Sequence, residues 1–544
     1  MTVEIVADDV FEPADVHVAQ RLTALAGEGD ERVSRAIALL VRALRGGSVC
    51  VDLAPTDGLR TAVEASPLIG SALQMDGDLL YLDRYWREEE QVCKDVLAML
   101  ASRPPVDGDA LAAGLDRVFP KEGYEEQREA ARIALSQWLT VLTGGPGTGK
   151  TTTVAALLAL LAEQAELTGT TRPRIALAAP TGKAANRLQE AVQSAVDELA
   201  ATDRGRLSGL HAVTLHRLLG WMPGSSTRFK HNRSNRLPYD VIVVDETSMV
   251  SLTMMARLLE AVRPETRLVL VGDPDQLASV EAGAVLADLV DGLSDREDAQ
   301  VAALRTSHRF GESIGALADA IRVGDENRVI ELLRAGGKHI EYIDTEDPTE
   351  RLRRVLVPHA VRVWQASLVG DATTALAMLD QHRLLCAHRE GPYGVRHWNR
   401  MVERWLTEET GQATWNEWYV ARPILVTAND YGLKLYNGDT GVTVTDQGVL
   451  RAVIGGQRFA TSRLADVETM HAMTIHKSQG SQADEVSVLM PPEDSRLLSR
   501  ELLYTAVTRA KARIRVIGSE ASLRAAVQRR AVRASGLARR LQSA

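Results

Sequence analysis

Residues 144–151 read GGPGTGKT and follow the apolar run Leu139, Val141, Leu142. That run has strand character, and Thr152 to Ala162, rich in Ala and Leu, has helix character. Strand, GxxxxGK[ST] and helix in this order are the full context of a Walker A phosphate loop. Gly144, Gly147 and Gly149 let the backbone turn tightly, so that successive N–H groups face phosphate oxygens. The helix opening near Gly149 adds the positive end of its dipole. Lys150 is a compact cation for the β- and γ-phosphates, and Thr151 offers a hydroxyl to Mg²⁺. The loop implies a bound nucleotide; it does not say what the nucleotide drives.

A chain of 544 residues exceeds the roughly 250–300 at which one core stops growing. Residues 1–112 carry no catalytic pattern. Val16–Leu25 and Val33–Leu44 have helical apolar spacing, GSVCVDL at 47–53 is strand-like, and Leu79–Leu82 is a short apolar run. This part reads as a small, mainly helical domain, closed by the linker RPPVDGD at 103–109. Beyond it strands alternate with helices. Leu139–Thr143, Ile175–Ala179, Val241–Val244 and Leu268–Val271 are expected strands of a first parallel, doubly wound sheet within 113–300. Leu384–Ala387, Ile424–Thr427, Val486–Met490 and Ile514–Ile517 are expected strands of a second α/β unit within 301–544. Short alternating segments with glycine turns at 440–468 suggest a small β insert in that unit. The fold class is α/β, with a cleft expected between the two units. No internal repeat is apparent.

Composition narrows the partners. The net charge of −9 gives no whole-chain basic footprint, so any grip on nucleic acid must be local. Aromatics at 4% leave few stacking platforms, which favours backbone contacts. Cys50, Cys93 and Cys386 lie far apart, with neither metal-ligand spacing nor a disulfide framework, which fits a reducing cytoplasm. No stretch approaches 18 apolar residues, and the acidic start does not read as a signal peptide, so no membrane role is expected.

Asp245 and Glu246 end the apolar run VIVVD. A carboxylate at a strand tip can hold Mg²⁺, and its neighbour can orient or deprotonate an attacking water. Gln276, in LVGDPDQLASVEAG, follows another strand and could read the γ-phosphate or position water. Arg309, in TSHRF, and Arg509, in ELLYTAVTRAK, are candidate arginine fingers from the second unit. Other segments suggest a polymer track. Pro180, Thr181 and Lys183 precede a helix in APTGKAANRL; Thr214 and His216 stand in TLHRLLG; Thr474, His476, Lys477 and Ser478 stand in AMTIHKSQGSQADEV. The loop GSSTRFKHNRSNRLP at 224–238 reads equally as a strand-gripping patch or a solvated loop. Residues 521–544 carry six arginines and no acid, and could face a partner, DNA or solvent.

Taken together, these motifs resemble the 5′→3′ branch of the superfamily 1 helicases, and within it the RecD family of RecBCD subunits, along nearly the whole chain. Gln127 in YEEQREA matches the adenine-reading Q motif, and GGPGTGKTTT, with Gly145, Pro146, Thr148 and Thr152, matches motif I. APTGKAA matches Ia, VVDETSMV II, GDPDQLASVEAG III, HRF IV, MTIHKSQGS V and YTAVTRAK VI. ADVHVAQRL, GSVCVDL, LCAHREGPYGVRHWN and LYNGDTGV are also similar to that family. Ala278 stands where the wider superfamily commonly has proline, and His308 where an aromatic is frequent.

The resemblance implies two RecA-like domains around an ATP cleft, with ATP and Mg²⁺ as cofactors. It places Gly480 on the nucleotide and Asn437 on the nucleic acid. Thr151 and Asp245 become metal ligands, while Lys150, Glu246, Gln276, Arg309 and Arg509 carry the chemistry. The implied activity is 5′→3′ unwinding from duplex ends, on single-stranded and duplex-end DNA, with RecB-like and RecC-like partners. The N-terminal domain would dock on the RecC-like partner, and any nuclease would reside in the RecB-like one. That domain lacks the helix-hairpin-helix glycine pattern of stand-alone relatives, which favours the subunit reading over a free-standing helicase or a regulatory ATPase.

Overall fold

The structure is a computed structural model and describes residues 11–54, 58–120, 122–169, 172–222, 228–306, 312–430 and 432–543. The N-terminal part pairs helices Pro13–Ala26 and Glu31–Arg45. Asp30 caps the second helix by accepting from the Arg32 N–H at 2.8 Å. Strands β1 (Cys50–Asp52), β2 (Leu73–Asp76) and β3 (Leu79–Leu82) form an antiparallel sheet in the order β1-β3-β2. Ile37, Leu40, Leu73 and Leu80 fill the core between helices and sheet. The helix Asp83–Leu100 then carries the chain onto the next part, where Val92 and Val96 pack with Met255 and Leu259 of the helix Leu252–Ala261.

The first lobe is a parallel sheet of β4 (Leu139–Gly144), β5 (Ile175–Ala179), β6 (Ala212–Thr214), β7 (Val241–Val244), β8 (Arg267–Gly272) and β9 (Ala302–Leu304), in the order β6-β5-β7-β8-β4-β9. Its central strands are buried along their whole length and mostly apolar, as expected where helices cover both faces. Thr143 pairs with Ala303, so the sheet runs past residue 300 to Leu304.

The second lobe begins with β10 (Ile340–Ile343) and β11 (His382–Cys386). The insert follows: β12 (Pro423–Val426), β13 (Thr440–Asp446), β14 (Val449–Ile454), β15 (Gln457–Ala460) and β16 (Val467–Thr469), antiparallel in the order β15-β14-β13-β12-β16. The lobe resumes with β17 (Ala472–Thr474), β18 (Ala483–Leu489) and β19 (Ala510–Ile517), giving a parallel sheet β10-β19-β18-β11-β17. The expected strand at Ile424–Thr427 is therefore a strand of the insert, not of the parallel sheet. A short apolar run fixes burial but not pairing partner, and here β13 and β16 take both edges. In each parallel sheet an edge strand ends at the threonine of a Thr-x-His segment, at Thr214 and at Thr474.

The C-terminal segment is a strap. After β19 and the helix Glu520–Gln528 the chain recrosses to the first lobe, and Leu537–Ser543 packs on Val285–Leu293 and on Asp83–Leu100. Its six arginines bind this chain rather than an open face. Arg524 pairs with Glu520 and Glu326, Arg529 donates to the Ser495 carbonyl, and Arg530 lies 4.0 Å from Glu501. Arg533 donates to the carbonyls of Ser279, Glu281 and Gly283, while Arg539 and Arg540 pair with Asp76. Glu89 is fully buried and accepts from Tyr81 Oη at 3.0 Å, Ser535 Oγ at 2.8 Å and the Gly536 N–H at 3.0 Å, with Arg540 at 3.3 Å. Glu89→Ala leaves the Tyr81, Ser535 and Gly536 donors unmet, while Arg540 keeps Asp76. It is expected to cost about 1–3 kcal/mol of stability, read as an earlier midpoint in urea unfolding; an unchanged midpoint would mean the strap is loosely held.

Candidate nucleotide cleft and nucleic-acid interface

The phosphate loop leaves β4 at Gly144 and turns through Gly147 (φ 84°) and Gly149 (φ 86°) into the helix Lys150–Leu167. A Cβ is disfavoured at such positive φ, which is why glycine stands at both turns. Thr148 Oγ1 donates to the Gly145 carbonyl at 2.9 Å. Lys150 donates to the carbonyls of Gly144 and, at 3.0 Å, Gly145, which holds its ammonium at the loop mouth. Gln127, buried on the helix Glu125–Ser136, donates its side-chain amide to the Thr148 carbonyl at 3.1 Å and sits against Gly149. It braces the loop from behind.

Pro146, Gly147, Gly149, Lys150, Thr151 and Thr152 form one wall of a cleft whose other sides include Asp245, Glu246, Gln276 and Arg509. Gly144, Gly145 and Thr148 line a second cavity behind the loop, with Tyr504 and Arg322. The Asp245 N–H donates to the Ala178 carbonyl at 2.9 Å, extending the β5–β7 ladder to the strand tip. Glu246 then adopts φ 51°, ψ 40°, a left-handed conformation that costs a residue with a Cβ about 1–2 kcal/mol. The buried turn Thr247–Met249 holds it there, with Thr247 Oγ1 donating to the Val244 carbonyl at 3.0 Å. Burial, then the Glu246 carboxylate, push the Asp245 carboxyl up to about 6, while Lys150 pulls it down. Two adjacent carboxylates and the Thr151 hydroxyl make an all-oxygen donor set, which suits a hard divalent cation such as Mg²⁺.

The lobes meet through these same residues. Arg509, only 3% exposed, donates from Nη2 to Gln276 Oε1 at 2.9 Å and from Nε to the Thr505 carbonyl at 3.0 Å. Gln276 Nε2 donates to Asp273 Oδ2 at 2.9 Å, and Tyr504 Oη donates to the same oxygen at 3.1 Å. The Leu277 N–H donates to Thr505 Oγ1 at 2.9 Å, and Gln479 Nε2 to the Leu277 carbonyl at 2.7 Å. Burial lowers the basicity of Arg509, and Glu246 opposes that. Arg309 lies outside the described residues.

Sequence reasoning missed Arg187, which lines the cleft and donates to Gln482 Oε1 at 2.7 Å. Its signal was its place one helical turn after Lys183. Asp273 and Tyr504 stand within GDPDQLASVEAG and YTAVTRAK but were not singled out, because their bond joins the two lobes and neither segment displays it alone. Gly480, expected on the nucleotide, lies outside the cleft lining. At φ 70° it sits against Ala184, where an added Cβ would come within 3.3 Å, so it serves close packing between lobes.

Three of the expected track residues are helix caps. Thr181, Thr214 and Thr474 each accept a backbone N–H at 3.2 Å, from Ala184, Arg217 and Lys477. Pairing of Ala179 with Thr214, and of Cys386 with Thr474, sets these caps at matching strand tips in the two lobes. Pro180 precedes the first cap. Gly182 lies so close beneath Tyr436 that a Cβ would sit 2.5 Å from the Tyr436 Cβ, and Gly438 lies beside Lys183. Pro180–Lys183 of one lobe and the exposed Asn437 of the insert are thereby brought together. Burial, then Arg383, push Lys183 down to about 8.

His216 and His476 are depressed by burial, and His216 stands edge-on to Phe229 with centroids 5.8 Å apart. Lys477 pairs with Glu468 at 2.8 Å. Ser478 departs from expectation: it is 1% exposed and spends its hydroxyl on the Ile475 carbonyl. In the loop 224–238, Arg233 pairs with Asp95 at 2.8 Å and Arg236 donates to the Val262 carbonyl, so both anchor the loop to the protein.

Comparison with known proteins adds a lineage to this geometry. The family model "RecBCD enzyme subunit RecD, N-terminal domain" matches residues 7–105, "AAA domain" matches 127–282, and "UvrD-like helicase C-terminal domain" matches 469–517. RecBCD enzyme subunit RecD of Mycolicibacterium smegmatis is 68% identical over 553 residues, covering 98% of each chain. That of Mycobacterium tuberculosis is 67% identical, covering 98% of this chain and 95% of its own. The ATP-dependent RecD2 DNA helicase of Deinococcus radiodurans is 31% identical, covering 89% of this chain and 62% of its own. Sharing about two thirds of its residues with the mycobacterial chains along 98% of its length, the protein belongs to the RecD family of RecBCD enzyme subunits.

Proposed function

We propose that this chain is an ATP-dependent 5′→3′ DNA helicase and translocase, working as a subunit of a RecBCD-type complex that unwinds DNA from double-strand ends for recombinational repair. The observation that carries the reading is Arg509 of the second lobe bonded to Gln276 of the first, at the edge of a cleft walled by Lys150, Asp245 and Glu246. The loop N–H groups and Lys150 would hold the phosphates of ATP in that cleft. Thr151 and Asp245 would hold Mg²⁺, which supplies charge neutralisation between the phosphates. Glu246 orients and deprotonates the attacking water. Arg509, together with Arg309, stabilises charge on the transferred phosphoryl. Hydrolysis breaks the contacts that bridge the lobes. Thr181, Lys183, Thr214 and His216 on one lobe, and Asn437, Thr474, His476 and Lys477 on the other, then shift along single-stranded DNA by turns.

Residues 1–112 form the domain that docks on the RecC-like partner. Val16, Val18 and Leu25 expose apolar surface along its first helix, which supports that role. Residues 113–300, continued by the edge strand Ala302–Leu304, and the rest of 301–544 are the two motor domains. The site of action is the cytoplasm; among the described residues no helix is long and apolar enough to cross a membrane.

The test is co-purification with RecB- and RecC-like subunits, followed by single-turnover unwinding of blunt duplex. Lys150→Gln should leave the complex assembled and slow movement on the 5′-ended strand. Unchanged 5′-strand movement would refute the reading, and unwinding of a 5′-tailed duplex by the chain alone would favour a free-standing helicase.

Asp245 supplies a second check. Its carboxyl is raised, so ionising it weakens the ligand-free fold; the penalty is complete above about pH 6 and fades as pH falls from there towards the ordinary value of 3.8. Asp245→Asn should therefore melt above wild type at pH 7.5 without nucleotide, with the gap narrowing towards pH 5, while Mg²⁺-dependent hydrolysis is lost. A lower melting point than wild type would mean that the carboxylate is structural.

A further inference from the structure

The second lobe carries a groove distinct from the nucleotide cleft. It runs between the helix Val395–Thr410 and two edge strands, β16 of the insert and β17 of the parallel sheet. Leu425 and Met473 give it an apolar floor. Five cations line it, Arg389, Arg396, Arg400, Arg422 and Lys477, against two carboxylates, Glu403 and Glu468. Both carboxylates are engaged. Glu468 pairs with Lys477 at 2.8 Å and Arg389 at 2.9 Å, and Glu403 accepts from Tyr419 Oη at 3.0 Å while acting on Arg422 and Arg400 only through space. Arg396 pairs with Glu390 at 2.7 Å in an exposed bridge, of a kind that contributes little.

The remaining two arginines are the informative ones. Arg400 is exposed and donates to the Arg396 carbonyl at 3.2 Å; no carboxylate pairs with it among the described residues. Arg422 is 6% exposed. Its Nε donates to Thr469 Oγ1 at 3.0 Å, its guanidinium lies 4.5 Å from the Trp418 ring centroid, and its buried Nη1 has no hydrogen-bond partner. A buried guanidinium with an unmet donor is costly unless an anion completes it. The groove also shares its wall with Thr474 and Lys477, at the cap of a track helix. Phosphates on the rim and bases over Leu425 and Met473 match a polynucleotide strand, which a strand reaching Thr474 would enter without a break.

We propose that this groove is a phosphate-binding extension of the single-strand track, in which Arg396 and Arg400 hold backbone phosphates and Arg422 positions them from below. The proposal rests on the helicase reading. Binding of fluorescein-labelled oligo(dT) by the full chain, followed by anisotropy across a range of NaCl concentrations, tests it. Arg396 and Arg400 are exposed, so the double variant R396A/R400A should fold.

Two lost phosphate contacts should weaken binding at low salt by about tenfold and flatten the log–log salt slope by about 1.4, at roughly 0.7 per single-strand phosphate. Wild-type affinity and slope in the double variant, with K183A weakened, would overturn the groove alone. No binding by the wild-type chain would overturn the helicase reading and the groove with it. Intact oligo(dT) binding combined with lost co-purification of the partner subunits would assign the groove to a protein and likewise overturn the proposal.

Discussion

Lys150→Ala is expected to lower ATP turnover by this chain about 10²–10³-fold, the usual cost of removing one preorganised donor from a site of developing charge. In the structure the ammonium is held at the loop mouth by the carbonyls of Gly144 and Gly145, on the same wall as Thr151 and opposite Asp245 and Glu246. It is therefore in place before any phosphate arrives. Removing it returns those carbonyls to solvent at the rim of a cleft, so the fold should lose little. Lys150→Arg should rescue poorly, because a planar guanidinium cannot reproduce a point charge between two converging carbonyls. Phosphate release with saturating oligo(dT) measures the loss, and the melting temperature controls for folding. Near-wild-type turnover in Lys150→Ala would place the chemistry elsewhere. In the assembled complex the same change should slow travel along the 5′-ended strand and leave partner binding intact.

How much of this was legible in the sequence depends on what each feature needs from its neighbours. The phosphate loop needs its own glycines, strand and helix, all contiguous, and the structure builds it where the letters stand. The central strands of the first sheet are buried on both faces and read as unbroken apolar runs. The edge strands Ala212–Thr214, Ala302–Leu304 and Ala472–Thr474 are three residues each, too short for a periodic signal, and exist because a neighbouring strand offers its edge. Pro423–Val426 has the composition of a core strand, yet pairs inside the insert.

The C-terminal arginines looked free because several partners, Asp76, Glu89 and Glu326, stand some two hundred residues or more away, and the nearer ones, Glu501 and Glu520, lie outside the arginine-rich segment. Charge runs report composition, and only the fold tells whether the opposite charge has been brought to meet them. The same holds for the cleft. Asp245 and Glu246 announce themselves at a strand tip, whereas Asp273 and Tyr504, joined at 3.1 Å, carry no local mark of their meeting.

Arg509→Lys is expected to cut DNA-stimulated ATP hydrolysis by about 10³–10⁵-fold, the usual contribution of an arginine finger, while nucleotide binding changes little. The side chain uses two different nitrogens, Nη2 to Gln276 Oε1 and Nε to the Thr505 carbonyl. A lysine ammonium retains the charge but cannot span both acceptors in a fixed plane. If Arg509 stabilised only folding, Lys and Ala would differ in melting temperature and turnover would follow stability. If it acts on the transferred phosphoryl, Arg509→Lys should keep its fold and its affinity for a fluorescent ATP analogue and still lose kcat. The bond to Gln276 makes a further demand: Gln276→Ala and Arg509→Lys should not be additive, since each removes the same cross-lobe contact, with a coupling of about 0.5–3 kcal/mol in a double-mutant cycle on kcat. Additive losses would mean that the contact seen between the lobes is incidental to turnover, and that Arg509 reaches the phosphates from a different arrangement of the cleft.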